Sequence, residues 1–237
     1  RERSRRSAGR PIVGSAPVGH DGTAHWLDAI AETMNVDAKA LDAAKAQILP
    51  GIREALAAAP IKGRITLSGY EGSELLVARL LVESGAEVRY VGSACPKTQW
   101  SEFDREWLEA HGVEVKFRAS LEDDIAAVEA FAPDLAIGTT PVVQHAKQKA
   151  IPALYFTNLI SARPLMGAAG AGSLAQVVNA ALSNKARFDR MTAFFEGVGT
   201  GHTAGVWEDV PKDEPGFRKK YAKKLARLKE PEEGIGC

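Results

Sequence analysis

Beyond Lys62-Gly63 the chain repeats one pattern: a short apolar run, a polar break, then a longer stretch with apolar residues three and four positions apart. The short runs predict strands at 64–68, 88–91, 113–117, 135–137 and 153–156, and the longer stretches predict helices at 73–84, 102–111, 121–131 and 141–149. Gly85 and Gly112 stand where helix C-caps belong. Pro141 suits a first helical turn, where its missing N–H has no partner to lose. Strict alternation of strand and helix implies a parallel sheet with right-handed crossovers. The expected fold class is α/β, a Rossmann-like three-layer parallel sheet with flanking helices.

The first sixty residues read differently. The run PIVGSAPV (11–18) has the character of a short strand ending in a turn. Asp21 or Thr23 is then placed to cap a helix with Trp26, Leu27, Ile30 and Met34 at helical spacing. An alanine-rich helix beginning near Asp37 carries Leu41, Ala44, Ile48, Ile52 and Leu56 along one face, and Pro50-Gly51 should kink or break it. Residues 1–10 are charged and small and predict a disordered lead-in. After the fifth strand, IPALYFTNLISARPLMGAAGAGS (151–173) predicts a long loop of polar and small residues closing on Gly167, Gly170 and Gly172. Helices follow at 173–182 and 184–195, then a turn-rich stretch. A basic amphipathic helix at 217–228 reads as a solvated terminal helix or a docking element. The expected divisions are 1–10, a helical segment 11–62, a Rossmann-like domain 63–200 and a tail 201–237.

Composition narrows the function classes. Thirty basic and thirty acidic side chains cancel, so no global field favours nucleic acid or an anionic membrane. No apolar run reaches the roughly 18 residues of a transmembrane segment, and no signal-peptide pattern opens the chain. Two cysteines, Cys95 and Cys237, lie far apart, which argues against a disulfide framework and for a reducing, cytoplasmic setting.

Candidate chemistry concentrates after the strands, since ligands of open α/β sheets sit outside the carboxyl ends. Loops at 69–74, 92–100, 138–144 and 157–172 should crowd one sheet edge with Tyr70, Glu71, Ser73, Cys95, Lys97, Thr139, Gln144, Asn158, Ser161 and Arg163. GYEGSE (69–74) could offer backbone amides to an anion, but it lacks both G-x-G-x-x-G spacing and a P-loop lysine, so a tight turn is the stronger reading. Gly167–Gly172 could form an amide nest or a close-packed loop. Cys95 is a poor candidate ligand, because a lone cysteine is more often a small buried hydrophobe. His20 and His25 are spaced five apart and do not share a helical face, so they make no metal pair. No nucleophile elbow, H-E-x-x-H or paired-carboxylate pattern is present, and no catalytic side chain can be named.

These residues also carry a resemblance. The strings APVGHDGTAHWLDAI, SGYEGSELLVARLLVESGAEVRYVGSACPKTQW and PDLAIGTTPVVQHAKQKAIPALYFTNLISARPLMG resemble the carboxyl-terminal half of Y subunits of chlorophyllide a reductases, nitrogenase-like enzymes of bacteriochlorophyll synthesis. The likeness runs over about residues 10 to 215, and it implies the sheet of the nitrogenase component 1 type. It also implies a Z-type partner subunit, an ATP-using, Fe-protein-like X-type reductase as electron donor, and reduction of the C7=C8 bond of chlorophyllide a ring B. In that family a [4Fe-4S] cluster serves the complex, with the Y-type cysteines in the amino-terminal half. Cluster ligands are therefore expected outside this chain, whose first residue is Arg1 rather than Met and which reads as a half subunit, inactive alone. By position, the loop after the fifth strand should line the substrate cavity, with Tyr155, Asn158, Ser161, Arg163 and Met166 as candidate macrocycle contacts. The N subunit of dark-operative protochlorophyllide reductase shares the architecture, and a nucleotide- or sugar-binding α/β protein is the alternative from another class.

Overall fold

The computed structural model describes residues 13–161 and 163–194. Five strands, β1 (Arg64–Gly69), β2 (Glu87–Ser93), β3 (Glu114–Phe117), β4 (Leu135–Gly138) and β5 (Ala153–Tyr155), form one parallel sheet in the order β3-β2-β1-β4-β5. The crossover helices are α3 (Glu74–Glu83), α4 (Glu102–Ala110), α5 (Leu121–Phe131) and α6 (Thr140–Gln148), preceded by α1 (His20–Met34) and α2 (Ala38–Ala58) and followed by α7 (Phe156–Ser161), α8 (Gly167–Leu182) and α9 (Lys185–Phe194). Lys185 closes the first compact unit, and α9 continues into the second.

Alternation of side chains along β1 divides the interior. Ile65 and Leu67 face a large apolar core shared with Leu75, Leu80 and Leu81 of α3, Phe156 of α7, Leu174 and Val178 of α8, and Ile52 and Leu56 of α2. A smaller cluster of Val128, Ala136, Val142 and Ala146 lies between α5, α6 and β4. β4 (LAIG) is buried along its whole length, which explains its unbroken apolar sequence, whereas β3 alternates exposed and half-buried positions.

Several elements depart from the sequence reading. Residues 13–17 form no strand, and Val18 makes a single antiparallel bridge to Met166. Neither Asp21 nor Thr23 caps α1. Its N-cap is Gly19, at φ 71°, and the Glu83 carboxylate accepts from the backbone N–H groups of His20 and Asp21. A tertiary carboxylate thus satisfies donors that a local cap normally takes. A Cβ on Gly19 would come within 2.2 Å of Glu83 Oε2, so the close approach and the left-handed φ both require glycine. Asp37 does cap α2, accepting from Ala40 N–H at 3.0 Å, but α2 continues unbroken through Pro50 and Gly51. Its burial is confined to its carboxyl half at Ile52 and Leu56, where it packs on α8, and Ile48 is exposed. Gly85 and Gly112 adopt the expected left-handed φ, at 94° and 76°.

The largest revision falls between 156 and 173. The expected long loop is mostly helical: α7 starts directly at the end of β5, and α8 starts at Gly167 rather than Ser173. Alanine-rich packing explains the early start, because Gly170 and Ala171 are buried and a Cβ on Gly170 would lie 2.2 Å from the Leu165 carbonyl carbon. The glycines that suggested a nest serve close backbone contact instead. The lead-in at 1–10 and the basic helix at 217–228 lie outside the described residues.

Candidate functional site

Strand order reverses between β1 and β4, whose following helices cover opposite faces, and the loops there part to leave a crevice. A cleft of about 340 Å³ opens at this point, lined by Tyr70 beyond β1, Gly138, Thr139 and Thr140 beyond β4, and Tyr155, Thr157 and Asn158 beyond β5. Its walls are hydroxyls, an amide and two phenol rings. Thr157 Oγ1 donates to Glu71 Oε1 at 3.2 Å, tying the β5 side of the cleft to the β1 loop. Lys147 Nζ stands 5.6 Å from the Tyr155 ring centroid, a cation–π distance.

A second cleft of about 350 Å³ lies toward β2, between residues 13–16 and the segment bearing Cys95 and Trp100. Trp100 packs against Gly14, where any Cβ would overlap its ring at 1.6 Å, yet the residue remains 43% exposed. Exposed apolar side chains gather on this edge: Tyr70, Trp100, Leu121 and Met166 belong to the segments following β1, β2, β3 and β5. Water-facing apolar groups around a polar crevice are the composition of a rim that takes a large, partly apolar ligand.

Of the five candidate contacts, the structure brings Tyr155 and Asn158 together in the switch-point cleft. Ser161 ends α7 and Met166 sits against Val18, while Arg163 donates to Ser173 Oγ at 3.4 Å; none of the three lines that cleft. The coil of α7 carries the chain away from the strand ends, which a loop reading could not anticipate. Thr140 and Thr157 were missed as lining residues. The available signal was their position, each two residues beyond a strand end.

The GYEGSE turn does cradle an anion, but its own. Glu74, fully buried at the start of α3, accepts from Glu71 N–H at 2.7 Å, from Gly72 N–H at 3.1 Å and from Ser93 Oγ at 2.7 Å. Those amides are therefore spent on a side chain and leave no phosphate cradle.

Cys95 is a free, partly exposed thiol whose Sγ lies 3.6 Å from the Tyr70 carbonyl oxygen. Among the described residues no group of three or more His, Cys, Asp or Glu is disposed to hold a metal ion. His25 stacks on Phe103 at 3.9 Å, and His20 Nδ1 pairs with Asp21 at 2.7 Å. Among the described residues no helix is long and apolar enough to cross a membrane.

Parallel sheet, switch-point cleft and capped crossovers define the class. The chain belongs to the nitrogenase component 1 type oxidoreductase family, whose pattern matches residues 5–183. Within it, the chain is 68% identical over 221 residues to the chlorophyllide reductase 52.5 kDa chain of Cereibacter sphaeroides, covering 93% of this chain and 44% of that one. It is 65% identical over 232 residues to the protein of that name in Rhodobacter capsulatus, covering 97% and 47%. The chain therefore spans somewhat less than half the length of these relatives. Two solved structures share the fold: nitrogenase Cp1 at pH 6.5, with TM-score 0.53, 20% identity and coverage of 73% of this chain and 40% of that one, and nitrogenase Cp1 at pH 5, with TM-score 0.51, 14% identity and coverage of 75% and 43%.

Proposed function

We propose that this chain is a substrate-binding half of a chlorophyllide reductase Y-type subunit. The observation that carries the proposal is the polar switch-point cleft bordered by exposed Tyr70 on the edge that also presents Trp100, Leu121 and Met166. A flat tetrapyrrole has apolar faces and a polar, carboxylate-bearing edge, and this rim offers complementary chemistry to both. The 65–68% identity to chlorophyllide reductase chains favours this substrate over protochlorophyllide and over a nucleotide or sugar. On this reading the assembled cytoplasmic enzyme reduces the C7=C8 bond of ring B. It pairs the chain with a Z-type subunit and draws electrons from an ATP-using X-type reductase. Tyr155, Asn158, Tyr70 and Thr157 contact the macrocycle's polar edge, and Arg163, Ser161 and Met166 extend the rim.

The family implies a metal–sulfur cluster, [4Fe-4S] on the reading from resemblance. The described residues do not fit one: Cys95 has no partner ligand, and iron–sulfur ligation needs several thiolates. What this chain's own residues can do is bind, orient and shield the macrocycle. The test is reconstitution of the full-length subunit with its Z- and X-type partners, offered chlorophyllide a and protochlorophyllide in parallel. Reduction of chlorophyllide a is expected, with affinity weakened several-fold by Tyr70→Ala, in line with the ~1 kcal/mol of an aromatic contact. Turnover of protochlorophyllide alone, or unchanged affinity in the variant, overturns the assignment.

A further inference from the structure

The switch-point cleft is too small for a whole macrocycle. Its volume of about 340 Å³ stands at the small end of ligand pockets, which run from about 300 to 1,000 Å³. A four-ring macrocycle with its side groups does not fit within it, so only a substituent on the macrocycle's edge can enter. The lining decides which one. Each side chain around the cleft ends in a phenol, a hydroxyl or an amide, and none is acidic. Thr157 is tied to Glu71 outside the cleft. Thr139 is the N-cap residue of α6, yet its hydroxyl takes no bond from the first turn and is left for another partner. Lys147 stands over Tyr155, with Nζ 5.6 Å from the ring centroid. A cation in that position draws electron density from the ring and makes the phenol a better donor to an anion.

The edge of chlorophyllide a offers a free propionate on ring D, and a keto group and methyl ester on the small ring fused beside ring C. The keto oxygen is fixed in the plane of the macrocycle, and the methyl ester is neutral. The propionate stands on a flexible saturated arm that can reach into a narrow crevice, and it alone is charged. Hydrogen bonds to an ionised acceptor are roughly twice as strong as those to a neutral one. Converging donors without an acidic neighbour in the lining therefore favour the carboxylate.

We infer that the switch-point cleft is a carboxylate subsite: it takes the ring D propionate as the free ion, which orients the substrate and selects it over its ester. The inference rests on the reading of this sheet edge as the macrocycle site. With the carboxylate held by Thr139, Tyr155 and Asn158, the ring body lies across Tyr70 toward the neighbouring cleft. The Tyr70 carbonyl oxygen is 3.6 Å from Sγ of Cys95, which lines that second cleft with Trp100. Ring B stands diagonally across the macrocycle from ring D. The C7=C8 bond is thus turned away from the switch-point cleft, in keeping with a lining that contains no carboxyl, imidazole or amine. Thr139, Tyr155 and Asn158 hold the far end of the substrate and transfer no proton.

The test compares chlorophyllide a with its ring D methyl ester in the full-length subunit reconstituted with its Z- and X-type partners. Affinity is read from the pigment's absorbance shift on titration, and turnover is measured at saturation. The ester should bind roughly tenfold or more weakly than the free acid, the loss expected when hydrogen bonds to a charged acceptor are removed. Thr139→Val and Tyr155→Phe should each weaken binding of the acid and leave that of the ester unchanged, with saturated turnover and its pH profile unaltered. Thr139→Ser, which keeps the hydroxyl, should restore the preference for the acid. Equal affinity for acid and ester in the wild-type complex would overturn the carboxylate subsite while leaving the macrocycle site standing. So would a preference that survives in both variants, or an equal loss for both pigments. A wild-type complex that neither binds nor reduces chlorophyllide a would overturn both readings.

Discussion

Replacing Arg79 by Met tests what fixes the amino-terminal helices to the sheet domain. Arg79 is completely buried on α3. Its Nε donates to Asp104 Oδ1 at 2.7 Å, and its Nη1 donates to the Val18 carbonyl at 2.9 Å and to Glu83 Oε1 at 3.2 Å. The guanidinium carbon lies 5.7 Å from the Phe103 ring centroid, and the Gly22 backbone presses so closely that a Cβ would sit 2.0 Å from Nη2. Glu83 in turn holds the first amides of α1. One cation therefore joins α1, α3 and α4.

Methionine fills similar volume, so the loss is chiefly electrostatic. Asp104 and Glu83 would remain buried without their counter-charge, a situation that costs about 3–5 kcal/mol. That is a large share of the roughly 5–15 kcal/mol by which domains are stable. The sign of its pH dependence follows. Burial already raises the Glu83 carboxyl, and Arg79 is the chief influence holding it down. Without the cation the Glu83 carboxyl binds its proton still more tightly folded than unfolded, so the variant's deficit should shrink as pH falls. Urea unfolding followed by tryptophan fluorescence at pH 7.5 and 5.5 measures both quantities. A deficit under 1 kcal/mol, or one that grows on acidification, would refute the reasoning.

Two further outcomes follow from buried carboxylates. The folded value of Asp124, about 6, lies above the ~3.9 of an unfolded aspartate. The native state thus holds the extra proton between them; this group's stabilisation is full below about pH 4 and lost as pH rises through 6, by up to roughly 3 kcal/mol. Asp124→Asn should flatten that part of the stability curve, and an unchanged curve would count against the assignment. Glu74→Ala should cost about 3 kcal/mol, since it strands the Glu71 and Gly72 amides and the Ser93 hydroxyl. Hydrogen exchange at the amides of 71 and 72 should then accelerate at least tenfold, and unaltered protection would show that Glu74 does not hold the turn.

Strand positions were legible from short apolar runs where burial is complete, as in β4, or from alternation, as in β3, and helix ends were legible wherever the cap was local. Gly85 and Gly112 show this, as does Asp37. The failures share a physical cause, a partner distant in sequence. Glu83 caps α1 from sixty-three positions away, and the Leu165 backbone makes Gly170 a packing residue rather than a loop residue. Pro50 sits within α2 without ending it, so the apolar periodicity that runs through it was the better guide than the proline-glycine pair, which predicted a kink or break.

The site followed the same rule. Which loops crowd the carboxyl edge follows from strand alternation, so Tyr70, Thr139 and Asn158 could be proposed from order alone. Which of them share a crevice depends on strand order in space, 3-2-1-4-5, which alternation does not specify. That order sets β4 beside β1, and so places Thr139 opposite Tyr70 rather than beside Cys95. It also stacks Gly138 over Ser68, and Ser68 beside Tyr90 and Asp124. Singly, those four residues carry no motif, and each would pass as core. Brought to one face by register, they form a buried polar patch behind Gly138, which lines the switch-point cleft.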